Sequence, residues 1–381
     1  MASSYDELNV LLVGDCILDE PDPDRFFESS RLLLRNAGLM IGHVEVPHTS
    51  RGEVASNDVP APPAKPEHLR ALAAAGFGVA TLAGNHIADA GPAGIEDTIA
   101  ELTRLGVVTC GAGMTLAEAR RPAVVERAGR TIGTLSYNCV GPKASWATSQ
   151  KPGCAYLRVL THYELDHATP GGPPEIFTFA TPDSLELMRR DIVELRARVD
   201  LVVVALHKGI GHVPAKLAMY EQPVARAAVD AGADVVVGHH AHILRGIEVY
   251  RGKPIFHGLG NFVTVTRALT PGPDSASEER RAWARRRREL FGFEPDPQMP
   301  HYPFHPESRN TMIAEVTLGS DGRLSAGFYP CHIDGQGCPH PLGLSPEGRR
   351  VASYVEDISR AQGLSVKLQP AGDRMLVMAP P

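Results

Sequence analysis

"VVVGHHAHILRGIEVYRGKPIFHGLGNFV", residues 235–263, starts as an apolar run of strand length and breaks after Gly238 into three histidines, His239, His240 and His242. In an open α/β sheet, functional groups gather where buried strands give way to loops. Other apolar runs end in the same manner. "VDLVVVAL" (199–206) leads to His207, "GVATLAG" (78–84) to Asn85 and His86, and "LNVLLVG" (8–14) to Asp15, while "GLMIGHVEV" (38–46) reaches Glu45 near its end. Carboxylate, amide and imidazole groups from five strand ends suit a borderline divalent transition metal such as Mn, Fe, Co or Zn. A lone histidine at a strand end is more often structural, but five such ends in one chain point to a metal site.

Between these runs lie amphipathic segments, "FFESSRLLLRNAG", "PEHLRALAAAG", "GIEDTIAELTRLG", "PDSLELMRRDIVELRAR" and "YEQPVARAAVDAG". Several close on Gly, a common helix stop. Alternation of strand and helix predicts an α/β fold. The stretch 122–139 reads as a hairpin, and 246–263 and 311–329 as further short strands, so antiparallel strands are expected around the α/β core.

The 381 residues carry 43% hydrophobic and 22% charged side chains, in the range of globular proteins with a sizeable core. A net charge of -6 argues against a dedicated nucleic-acid binder. Six cysteines without a CxxC pair read as reduced thiols. Residues 1–15 show no signal-peptide pattern. No run approaches the roughly 18 apolar residues of a membrane span, so a cytoplasmic protein without membrane contact is expected.

From Thr264 to Arg309 the pattern breaks. A Pro/Gly/Ser-rich lead precedes the basic "RRAWARRRREL" and the Pro/His-rich "PHYPFHPESR". A structureless loop of that length is unusual inside a compact domain. The expected organisation is therefore one domain, 1–263 plus 310–381, with 264–309 inserted as a lid or as a contact in a homodimer. His301 and His305 would reach the site from such a lid. The basic run itself reads most simply as a solvated helix face.

Taken in order, "GD" (14–15), "VEVP" (44–47), "GNHIADAG" (84–91), "HKG" (207–209), "GHHAH" (238–242) and "GIEVYRGKPIFHGLGNFV" (246–263) resemble the CapA family, named for poly-γ-glutamate capsule synthesis. That family belongs to the calcineurin-like metallophosphoesterase superfamily. The resemblance covers residues 8–263 and, more loosely, 311–330. It implies a four-layer αββα sandwich with a two-metal centre at the strand ends. On that pattern Asp15 would bind one metal and Glu45, standing where the superfamily has a bridging Asp, would bridge. Asn85, His207 and His240 would complete the second metal, and His242 would return to the first. His86 would act as general acid, with Asp89 behind it to orient the ring.

The sequence departs from the pattern in places. Two residues after the first Asp the superfamily has a ligand His; this chain has Ile17, and His43, on the same strand face as Glu45, is the candidate to compensate. "HKG" replaces the family's common "HWG", which makes Lys208 either a cation aimed at an anionic substrate or a solvated lysine. His212 and His257 are candidates for substrate contact or for support behind the metals. Asn261 is expected to hold a turn, and His239 to point away from the metals. Cys16 has no assignable base.

Two functions follow. One is a hydrolase with one or two divalent metals, in which a metal-activated hydroxide attacks a phosphoester, amide or lactam of a small anionic substrate. The other is a non-catalytic accessory protein of poly-γ-glutamate synthesis.

Overall fold

The computed structural model describes residues 7–52, 62–164, 175–267 and 278–380. Two β-sheets face each other across one apolar seam. The ten-stranded sheet runs Lys367–Ala371, Arg374–Met378, Leu324–Ile333, Asn310–Leu318, Leu8–Leu18, Leu39–Val44, Phe77–Thr81, Val108–Cys110, with Asn261–Val265 also paired to Leu8–Leu18 and Pro339–Pro341 to Leu324–Ile333. The six-stranded sheet runs Ile247–Tyr250, Lys253–Phe256, Val235–His239, Leu201–His207, Arg130–Asn138, Ala123–Arg127. Within each sheet the strands that lead to the predicted site residues are parallel, so their C-terminal ends lie together.

Strict alternation is hidden inside the apolar runs. Leu8, Val10 and Leu12 share the inter-sheet core with Leu201, Val203, Ala205, Val235 and Val237. Leu11 and Val13 point the other way, against Leu34, Leu69, Leu72, Ile95 and Leu102 from the helical side of the first sheet. Val202, Val204 and Leu206 pack on Met188, Ile192, Leu195 and Val224 from the helices Pro182–Arg196 and Glu221–Asp230. Helix, sheet, sheet, helix is thus the observed layer order. Strands apolar on both faces are what a sheet covered on both sides demands.

The helices track the predicted segments with trimmed ends. "GIEDTIAELTRLG" falls in Gly91–Arg104, whereas "FFESSRLLLRNAG" yields only a 3-10 turn, Pro23–Phe27, and a short helix, Arg31–Arg35. Residues 122–139 form the expected hairpin. A second hairpin, Val159–Glu164 with Glu175–Ala180, and the C-terminal helix Pro346–Ala361 lie outside the segments singled out from sequence. Of the insertion, residues 268–277, most of its Pro/Gly/Ser-rich lead, lie outside the described residues. Beyond them stands a helix, Glu278–Phe291, and Met299, Tyr302 and Phe304 pack with Ile17, Val46, Ala64 and Ile333 in a small core over the strand ends. Among the described residues no helix is long and apolar enough to cross a membrane.

One irregularity positions the site. Leu12 pairs with Ile41, but three residues later Asp15 pairs with His43, only two positions on. The extra residue is a β-bulge, and it reverses which face the next side chain takes. Without it Asp15 would join Leu11 and Val13 on the helical side; with it Asp15 enters the seam. Gly14 is needed at the bulge, because a Cβ there would sit 1.9 Å from the carbonyl oxygen of Gly260.

Candidate metal centre

Alternation brings three imidazoles to the seam. His207 continues the face of Leu201, Val203 and Ala205, His43 that of Leu39 and Ile41, and His239 that of Val235 and Val237. The His43 ring stacks on His239 with centroids 4.8 Å apart and meets His207 at 4.7 Å. His239 therefore corrects an expectation: it faces the centre, its Nδ1 3.1 Å from Asp15 Oδ1. The strand persists through His239, so parity counted along it puts that residue inward. His240 and His242 reach the centre by another route. Their φ angles of 83° and 54° turn the chain through the left-handed region and swing both rings back. Such conformations cost roughly 1–3 kcal/mol each in a non-glycine residue and gather at functional sites.

The two carboxylates sit among these rings, both fully buried. Asp15, His43 and His207 offer ligand atoms that all lie within 4.8 Å of one another, and so do Asp15, Glu45 and His242. The carboxylate common to both groups is Asp15, where the family pattern gave the bridging position to Glu45. His242 Nε2 lies 3.2 Å from Glu45 Oε1, the His240 backbone N–H donates to Asp15 Oδ2 at 3.2 Å, and Asn85 Oδ1 meets His207 Nε2 at 2.8 Å.

The donor set fits a bound cation. Glu45 Oε2, His43 Nε2, His207 Nδ1 and His240 Nδ1 are buried without a hydrogen-bond partner, while Asp15 Oδ1 and Glu45 Oε1 meet only the His239 and His242 rings. Each such atom costs about 1–3 kcal/mol if nothing satisfies it. Burial pushes His43 down to about 3, with His239 adding to the effect, and His240 also down to about 3; His207 falls well below the usual histidine range for the same reason. These rings are neutral and carry the lone pairs a metal requires. Burial works to raise Asp15, but His239, His242 and His43 outweigh it and hold the carboxyl at about 2. Burial works to lower His242, yet Glu45 and Asp15 lift it to about 9.

His86 stands in the loop after Phe77–Thr81, nearly buried, with Nδ1 2.7 Å from Asp89 Oδ2. The carboxylate fixes the ring's orientation and leaves Nε2 as the working nitrogen. His86 is close enough to His240 to help depress it.

Lys208 is neither solvated nor aimed at substrate. It is fully buried, its Nζ 2.9 Å from Glu221 Oε2 and 3.2 Å from the carbonyl of His257. As the residue after inward-facing His207 it turns to the helical side, where Glu221 compensates it. His257 Nε2 in turn lies 3.3 Å from Glu248 Oε2, so both residues belong to a buried polar network behind the site. Lys208→Met would strand the Glu221 carboxylate and is expected to destabilise the protein by about 3–5 kcal/mol. Denaturant unfolding checks this, and Lys208→Met/Glu221→Gln should recover much of the loss.

His212 lies against the centre, its ring stacked on His242 at 5.5 Å. The insertion encloses it: Phe291, Phe293 and Phe304 contact its ring, and Arg287 Nη2 lies 3.4 Å from its Nε2. Phe304 also meets the His242 ring at 4.8 Å. His305 touches Phe293, one ring further out, and caps the turn Pro306–Arg309. His301 faces Gly337, and its carbonyl accepts from the Thr266 amide. Ile17 belongs to the insertion's small core, and Cys16 to the opposite, helical side, with burial raising its thiol beyond the useful range. Arg287, Tyr302 and Phe304 escaped the sequence reading. An aromatic spacing of two in "YPF" was the available signal.

The profile described as Bacterial capsule synthesis protein PGA_cap matches residues 9–266. The chain belongs to this family. Its match stops where the insertion starts. The PGA biosynthesis protein CapA of Bacillus subtilis is 31% identical over 271 residues, covering 68% of this chain and 64% of the relative. The capsule biosynthesis protein CapA of Bacillus anthracis is 30% identical over 200 residues, 52% and 43% of the two chains. This family member thus spans less than two thirds of the length of those relatives. Among solved structures, the calcineurin-like phosphoesterase YfkN of Bacillus subtilis has a TM-score of 0.38 at 11% identity, covering 94% of this chain and 98% of that one. The 5'-nucleotidase of Candida albicans has a TM-score of 0.40 at 11% identity, covering 94% and 58%. These likenesses are faint, and the layered architecture stands on the sheets and helices themselves.

Proposed function

We propose that this family member is a metal-dependent hydrolase of a small anionic substrate. The observation that carries the reading is the convergence of two buried carboxylates with unpartnered imidazole nitrogens of His43, His207 and His240, brought from both sheets into groups that share Asp15. Asp15, Glu45 and His242 would hold one cation, and Asp15, His43, His207, Asn85 and His240 a second. Divalent metal there supplies Lewis-acid polarisation of the scissile group and lowers the pKa of attacking water. The chain's own residues do the rest. His86, steadied by Asp89, delivers a proton from Nε2 to the leaving group. The buried guanidinium of Arg287 beside His212 favours a negatively charged substrate near His242. The scissile bond is a phosphoester or an amide or lactam.

Metal content per chain, by elemental mass spectrometry before and after chelation, tests this first. Two equivalents are expected, with metal-restored hydrolysis in a screen of phosphoesters, amides and lactams. His43→Asn should lower the stoichiometry toward one, since His43 Nε2 has no other partner; unchanged stoichiometry removes His43 from the ligand set. The names of the CapA relatives support a second reading, an accessory role in poly-γ-glutamate synthesis. Polymer binding without turnover, or a chain that takes up no metal, would favour it.

A further inference from the structure

Nothing in the two candidate cation groups decides which nitrogen of His242 is the ligand. Its Nε2 lies 3.2 Å from Glu45 Oε1, while its Nδ1 lies 3.6 Å from Asp15 Oδ2. Both nitrogens therefore face a carboxylate. The answer comes from a chain of hydrogen bonds that begins in the insertion and runs inward through Ser308, Tyr302 and Asn261, all three buried.

The direction of that chain is forced at its outer end. The Ser308 hydroxyl donates to the His305 carbonyl, so toward Tyr302 it can only accept. The Ser308 carbonyl is an acceptor by nature. Tyr302 Oη lies 2.9 Å from that carbonyl and 3.1 Å from the hydroxyl, so its one proton points to Ser308 whichever oxygen takes it. Burial raises the phenol far above its usual range, so the proton stays in place. Toward Asn261, 2.9 Å away, Tyr302 can then only accept, and the donor is Asn261 Nδ2. That fixes the amide with Oδ1 toward His242, at 2.9 Å from Nδ1. An amide oxygen accepts only, so His242 Nδ1 must carry a proton. The backbone carbonyl of Asn261 is held separately by the Thr311 hydroxyl, which keeps the side chain in place for this role.

We infer that Tyr302 and Ser308, supplied by the insertion, act through Asn261 as positioning residues that lock His242 as the Nδ1–H tautomer and reserve Nε2 for a metal ion. The inference rests on the metal-centre reading proposed above. It gives the 264–309 segment a part in the centre itself, in addition to covering it. Groups in this position behind a metal ligand set its orientation and basicity, and their loss commonly costs about 10–100-fold in metal affinity.

The test uses the zinc-loaded full chain with 15N-labelled histidine. Wild-type protein is expected to show His242 with Nδ1 protonated and Nε2 bound to zinc, and Tyr302→Phe to bind zinc about 10–100-fold more weakly in competition with a chromophoric chelator. Thermal unfolding of the zinc-free proteins separates this from a packing defect. A wild-type spectrum with zinc on Nδ1 overturns the inference, even if Tyr302→Phe fails to fold. An unchanged zinc affinity in a folded Tyr302→Phe protein does the same. Wild-type protein that takes up no zinc, manganese, iron or cobalt would overturn the metal centre itself, a result distinct from metal bound through the wrong nitrogen.

Discussion

Asp15→Asn protein is expected to lose metal and turnover together. Asp15 is the one residue common to both candidate cation groups, and asparagine keeps its shape while removing the charge and one acceptor oxygen. Among the described residues no other carboxylate groups with His43 and His207, since Glu45 groups with His242. The loss in affinity should exceed the ~10–100-fold that removal of a merely supporting group costs. Equilibrium dialysis against Mn or Zn, followed by elemental analysis, measures it. An Asp15→Asn protein that still holds two equivalents would sink the shared-carboxylate arrangement.

His86→Asn should give the opposite pattern, with metal retained and kcat lowered by about 10²–10⁴-fold, the range for loss of a general acid. The effect should depend on the leaving group. An ester that expels a weakly basic phenolate needs no protonation and should suffer far less than one that expels an alkoxide. Asp89→Asn should follow the same trend more mildly, because it leaves the ring present but poorly oriented. Equal losses across leaving groups would remove His86 from the proton-transfer role and leave it as a binding residue.

Much of this centre was legible because strand ends announce themselves. Apolar runs stopping at Asn85 and His207 marked where the chain leaves a covered sheet, whereas Asp15, expected at a strand end, lies inside the strand Leu8–Leu18. What sequence left open were matters of parity and of distant packing. His239 was misread because strand parity runs unbroken through it, and His240 turns inward by a left-handed backbone that alternation does not reveal. Asp15 reached the seam through a bulge that no local propensity reveals. Lys208 looked exposed because its partner, Glu221, lies on a later helix. The sequence of 264–309 reads as an interruption of the pattern, whereas the packing of Met299, Tyr302 and Phe304 over Ile17 depends on contacts between segments far apart in the chain.

The carboxylate at position 15 and the backbone amide that meets it at position 240 are 225 residues apart and belong to different sheets. Neither half of the proposed ligand set exists as a site by itself. A cation that needs both can bind only after the two sheets have folded and docked, and once bound it pins them face to face. Metal uptake is then a late step of assembly, and its binding free energy adds to the cohesion of the sheet–sheet junction. The chelated protein should open first along that seam, exchanging the amides of Val235–His239 and Leu201–His207 before those of strands further from the junction.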